Sequence, residues 1–111
     1  MAEKTDEIGF GGLTLIQDDE MFCYGIDAVL LASFASRASH RRVADLGTNN
    51  GVIPLIMSSL GDAEAFCGVE MQERACSLAR RNAERNGLAE RIRIVHADVA
   101  SLREIFPAGS F

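Results

Sequence analysis

Proline and cysteine are scarce in this 111-residue chain, with two of the first and three of the second. Cys23, Cys67 and Cys76 are odd in number and form no Cys-x-x-Cys pair, which argues against a disulfide framework and against a zinc site. No apolar run approaches the ~20 residues that a membrane helix needs. The opening "MAEKTDEIGFGG" has acids and glycines where a secretory leader has a basic stretch followed by an apolar one, so a cytoplasmic location without membrane contact is expected. A net charge of -5 leaves no broad cationic surface for a polynucleotide bound by these residues alone. Repeats and low-complexity segments are missing too. What remains, 48% hydrophobic and 24% charged residues, is the composition of one small globular domain.

The pattern begins with "LTLIQ" (13–17) and "MFCYG" (21–25) around "DDE", two short runs of strand formers expected to pair as a hairpin. "IDAVLLASFASRA" reads as a helix capped by Asp27, with Val29, Leu30, Leu31 and Phe34 facing inward. From residue 43 strand and helix alternate. "RVADL" reads as a buried strand, "GVIPLIMSSLG" as a helix that tolerates Pro54 in its first turn, and "EAFCGVE" as a second strand. In "QERACSLARRNAERNG", Ala75, Leu78, Ala79 and Ala83 form an apolar stripe, Arg74, Arg80, Arg81, Glu84 and Arg85 face water, and Gly87 closes the helix. "RIRIVHAD" is a third strand, "VASLREIF" a short helix and "PAGSF" a loop. Consecutive β-α units of this kind imply parallel strands joined by right-handed crossovers.

Ligands of such sheets bind beyond the carboxyl ends of the strands. There the three expected strands end, or nearly end, in Asp45, Glu70 and Asp98. Singly, each acid is as easily a helix cap or a solvated loop residue; the set of three is more informative. A dinucleotide site is the first rival, because Glu70 lies 19 residues after Gly51, near the ~20 expected of a ribose-binding acid. The glycines argue against it: Gly47, Asn49 and Val52 occupy the positions of G-x-G-x-x-G, and Gly47 and Gly51 form G-x-x-x-G instead. Asp45 would also repel a pyrophosphate. A ligand that carries positive charge suits it better.

"DLGTNNG", "GVE" and "HAD" resemble the first three motifs of the class I S-adenosylmethionine-dependent methyltransferases, whose cofactor carries a sulfonium and an ammonium and no phosphate. The resemblance implies a partial doubly wound, Rossmann-like α/β sheet, truncated before its fourth strand. It also implies that Asp45 and the Gly47–Gly51 turn surround the methionine part of S-adenosylmethionine. Glu70 would then hold the ribose hydroxyls, and Asp98, flanked by Val99, would accept from the adenine amino group. Carboxylates suit those tasks, accepting from hydroxyls and amines and offsetting positive charge. The upstream "FCYGIDAVLLASFA" resembles the segment before the first motif in the adenine-N6 methyltransferases of valine tRNA, which implies that Tyr24, Gly25 and Asp27 cover the cofactor. The likeness runs from about Leu13 to Phe111. It divides the chain into a flexible N-terminus (1–12), a hairpin and helix (13–42) and a partial cofactor-binding domain (43–111).

Two departures from that family stand out. Asn49 occupies a position where glycine is usual; asparagine enters the left-handed backbone region most readily among side-chain-bearing residues, but its side chain takes space beside the methionine moiety. The chain also contains no Asn-Pro-Pro-aromatic motif, the element that holds the amine to be methylated. The expectation is therefore the cofactor-binding half of a methyltransferase acting on adenine N6 in tRNA, inactive by itself, associating into homo-oligomers through strand 42–46. The alternatives are a protein glutamine, ribosomal RNA or small-molecule acceptor with the same cofactor, or a non-catalytic interaction module. No residue is assigned as a chemical base. His96 reads as a packed or hydrogen-bonded strand-end residue, and "RASHRR" around His40 reads as a solvated connector.

Overall fold

The structure, a computed structural model, describes residues 3–9, 11–19, 25–39, 41–107 and 110–111. Strands β1 (Glu3–Glu7) and β2 (Thr14–Asp18) form an antiparallel hairpin. Helix α1 (Ile26–Ala35) follows, then β3 (Arg42–Leu46), α2 (Val52–Leu60), β4 (Ala65–Glu70), α3 (Glu73–Arg85) and β5 (Ile92–His96). A 3-10 turn at Val99–Ser101 leads into the short α4 (Leu102–Ile105). The three later strands form one parallel sheet in the order β3-β4-β5, with Val43 level with Phe66 and Phe66 with Ile92. The β-α alternation and the parallel pairing are those expected from the sequence.

The core lies where Phe66, Ile92 and Ile94 of the sheet meet Leu55 and Ile56 of α2 and Cys76, Ala79 and Ala83 of α3. Burial of each large apolar side chain contributes roughly 1.5–3 kcal/mol. The alanine stripe lets α3 approach the sheet closely, which fixes how the loops at the strand ends face one another.

The N-terminal third differs from expectation in three respects. First, β2 pairs with β1; residues 21–24 of the run expected to pair with it lie outside the described residues. The segment expected to be a flexible N-terminus thus contains β1. Its charged sequence "EKTDE" hides the strand from a hydrophobic pattern, because the strand is mostly exposed. Second, α1 begins one residue before Asp27: Gly25 is the cap, with no side-chain hydrogen bond, and Asp27 lies in the first turn. Its carboxylate there complements the positive end of the helix dipole without capping it. Third, Leu30, Leu31 and Phe34 are 57–69% exposed, whereas Ala32 is buried and Ala28, Val29 and Ala35 pack on the core. Small residues at 28, 32 and 35 form the stripe by which α1 packs on α2.

Candidate functional site

The site is built on the carboxyl ends of β3, β4 and β5. After β3 the chain turns through Gly47 (φ 75°), Asn49 (φ 53°) and Gly51 (φ 82°), three left-handed residues that reverse it into α2. Asparagine does adopt the left-handed conformation expected of it. The turn is fastened to β4, since the amides of Gly47 and Thr48 both donate to the Val69 carbonyl, at 2.8 and 3.0 Å. The Asn49 amide donates to Glu70 Oε1 at 2.9 Å, and the Gln72 amide to Glu70 Oε2 at 2.9 Å. Glu70 is thereby held by one backbone donor on each oxygen, with lone pairs left over for a ligand. One strand further, the Ala97 amide donates to the Glu70 carbonyl at 2.9 Å, which places Asp98 beside the same strand end.

Three buried oxygens at this strand end and in the loop have no hydrogen-bond partner among the described residues: Asp45 Oδ2, Thr48 Oγ1 and Asn49 Oδ1. Burial raises the Asp45 pKa above the ordinary carboxylate range; the nearby Thr48 hydroxyl offsets part of this, though its geometry falls short of a formed hydrogen bond, and the Glu70 charge raises it further. The buried, unpartnered Asp45 Oδ2 next to a second carboxylate is completed by a ligand rich in donors and positive charge. Phosphate would be repelled. A sulfonium- and ammonium-bearing cofactor fits this donor set.

Asp45, Gly47, Asn49, Gly51 and Glu70 thus come together, with Asp98 and Val99 at the adjoining strand end. Asp98 also caps the 3-10 turn, its Oδ1 accepting from the Ala100 amide at 2.9 Å. Gly25 and Asp27 sit at the start of α1, and among the described residues no hydrogen bond joins them to the loop. Tyr24 lies outside the described residues, as do Cys23 and His40. His96 Nε2 pairs with the Met71 carbonyl at 2.8 Å, in keeping with a strand-end residue that is hydrogen-bonded.

Three residues that support the loop were not evident from the pattern. Thr48 is buried against Gly68 of β4, so close that a Cβ at Gly68 would lie 2.7 Å from Thr48 Cγ2 and Oγ1. Asn82, fully buried on α3, donates to the Asn50 carbonyl at 2.9 Å. The available signals were a glycine inside an otherwise apolar strand and an asparagine in the middle of an alanine stripe.

Fold and site together define a Rossmann-like α/β unit with a phosphate-free, acid-lined cofactor loop. The family model described as "Methyltransferase small domain" matches residues 12–106, and the chain belongs to that family. The tRNA1(Val) (adenine(37)-N6)-methyltransferase of Escherichia fergusonii is 32% identical over 105 residues, covering 89% of this chain and 43% of the relative. Its counterpart in Bacteroides thetaiotaomicron is 33% identical over 91 residues, covering 80% and 38%. The chain therefore spans less than half the length of these curated relatives. Among solved structures, a human methyltransferase 10 domain containing protein superposes with TM-score 0.75 at 21% identity, over 89% of this chain and 49% of the other. A SAM-dependent methyltransferase from Thiobacillus denitrificans, in complex with S-adenosyl-L-homocysteine, gives 0.58 at 23% identity over 70% and 32%. These two likenesses support the fold.

Proposed function

We propose that this chain is the S-adenosylmethionine-binding part of a methyltransferase whose acceptor is an adenine N6 in tRNA. The observation that carries the reading is the row of Asp45, Glu70 and Asp98 on neighbouring strand ends, with Asp45 Oδ2 buried and without a partner among the described residues and Glu70 bonded to the glycine turn. In this assignment Asp45 and the turn from Gly47 through Asn49 to Gly51 take the methionine part, Glu70 the ribose hydroxyls, and Asp98 with Val99 the adenine edge. Tyr24, Gly25 and Asp27 complete the cover. The cofactor brings the methyl group already activated, so the protein's task is positioning and charge complementarity. The tRNA acceptor rests on the names of the relatives that are about a third identical.

Titration calorimetry with S-adenosylhomocysteine on the unaltered chain and on Glu70→Ala tests the reading. Binding by the first and a loss of about tenfold or more in the second is expected, given ~1.5–3 kcal/mol for hydrogen bonds to a charged group. Equal binding by both removes Glu70 from the ribose role, and preference for NAD overturns the cofactor. Labelled S-adenosylmethionine with unmodified tRNA should give no turnover by this chain alone, which has no Asn-Pro-Pro run to hold the acceptor amine.

A further inference from the structure

Helix α3 does more than pack on the sheet. Asn82 and Asn86, four residues apart, each grip a residue of β2 as a neighbouring strand would. Asn82 Oδ1 accepts from the Ile16 amide at 2.6 Å, and its Nδ2 donates back to the Ile16 carbonyl at 3.1 Å. Asn86 Oδ1 accepts from the Thr14 amide at 2.9 Å, and its Nδ2 donates back to the Thr14 carbonyl at 2.7 Å. The spacing explains the match: four residues of helix rise ~6.0 Å, and two residues of strand rise ~6.8 Å. Two carboxamides thus close the edge of β2 that β1 leaves open. Arg81 reinforces the grip through a two-pronged pairing with Glu3 at 2.8 Å on each arm, and Arg85 Nε donates to Thr14 Oγ1 at 2.9 Å.

Asn82 and Asn86 differ in where the second amide proton goes. That of Asn86 returns to the Asn82 carbonyl within α3 at 2.8 Å, whereas that of Asn82 reaches the Asn50 carbonyl at 2.9 Å, inside the glycine turn. Asn50 is itself buried, and one helical turn earlier Ala79 closes on Gly51, where an added Cβ would lie 3.3 Å from the alanine Cβ. The turn is therefore held from β4 on one side and from α3 on the other, and a single fully buried carboxamide connects its outer side to the N-terminal hairpin.

We infer that Asn82 is a positioning residue for the cofactor loop, coupling the β1–β2 hairpin to ligand binding, whereas Asn86 only anchors the hairpin. The inference rests on the reading of the loop as an S-adenosylmethionine site. Asn82→Ala and Asn86→Ala each remove one grip on β2, and only the first frees the Asn50 carbonyl. Calorimetry with S-adenosylhomocysteine should show Asn82→Ala binding about tenfold more weakly than Asn86→Ala, within the usual range of coupling between sites. Equal affinities of the two variants overturn the inference while leaving the cofactor site standing. No binding by the unaltered chain removes the site and the inference together.

Hydrogen exchange on the unaltered chain gives a reading that does not depend on whether a variant folds. By reciprocity, S-adenosylhomocysteine should slow exchange of the Ile16 amide, whose acceptor is Asn82, more than that of the Thr14 amide, whose acceptor is Asn86. Slowed exchange at Asn49 with equal or no change at Ile16 and Thr14 would overturn the coupling.

Discussion

Replacing Gly68 by alanine tests the seat of the cofactor loop directly. Gly68 lies in the middle of β4, level with Asp45 on one side and Ile94 on the other. Alanine in a strand gains roughly 0.5–1 kcal/mol over glycine from backbone entropy. Here the new Cβ would meet three Thr48 atoms, Cγ2, Oγ1 and Cβ, at 2.7, 2.7 and 2.8 Å. Because Cβ is among them, no rotamer of Thr48 relieves the clash, and the backbone of the turn must move. Overpacking of this kind costs about 1–3 kcal/mol. The net expectation for Gly68→Ala is a loss of about 1–2 kcal/mol, a fall in Tm of roughly 5–10 °C for a domain of this size. Moving Thr48 also pulls the Asn49 amide away from Glu70, so binding of S-adenosylhomocysteine should weaken about tenfold. Thr48→Gly in the same chain removes all three clashing atoms, and the double-mutant cycle should return a coupling of about 1–2 kcal/mol. An unchanged Tm with unchanged binding, or additive effects in the cycle, would refute the packing of Thr48 on Gly68 as the determinant of the loop.

Three further outcomes follow from the site and the sheet. Asn49→Gly relieves a left-handed asparagine and removes the unpartnered Oδ1, so calorimetry should show binding tighter by roughly 0.5–1 kcal/mol, about two- to fivefold; weaker binding would mean that the carboxamide contacts the ligand. Asp45 has its pKa raised in the fold, so its ionised form opposes folding once the pH exceeds that raised value, and the opposition is gone below the unfolded-state pKa. Asp45→Asn should therefore raise the Tm of the ligand-free chain at pH 7, by an amount that shrinks as the pH falls, while weakening the ligand about tenfold or more; a gain independent of pH would contradict the assignment to burial. At the sheet, β3 has one edge without a partner strand among the described residues, and Leu46 at its end is 48% exposed. Light scattering over a dilution series should reveal a dimer or larger species through strand addition at 42–46, and a monomer at high concentration would count against it.

The parallel sheet was legible because each of its strands is a short run rich in apolar residues with an acid at or near its end, and each crossover helix carries its apolar residues at helical spacing. Asp45, Glu70 and the glycine turn were legible for the same reason, since their positions follow from where the strands end. The hairpin was not, because it is held by groups 66–78 residues away: Asn82 and Asn86 bond the backbone of β2, and Arg81 bonds the Glu3 side chain of β1. Arg74, Arg81 and Arg85 read as a solvated face, and they are exposed, yet they pair with Asp18, Glu3 and Thr14. The inward face of α1 was misassigned for a different reason. A helix apolar nearly all round has no amphipathic signal, and its packing stripe was decided by which residues are small.

The grip of α3 on β2 also constrains the order of events as the chain folds. Ile16 and Thr14 find their hydrogen-bond partners 66 and 72 residues later in the sequence. Closing a loop of that length gains nothing until α3 is formed and placed, and α3 is placed only by packing on β4 and β5. The hairpin, which precedes the parallel sheet in the sequence, is then the last to dock, and it completes the cofactor loop as it does so, through Asn82. Pulse-labelled exchange during refolding should find the Ile16 amide protected after those of β3 and β4; protection in the reverse order would contradict this sequence of assembly.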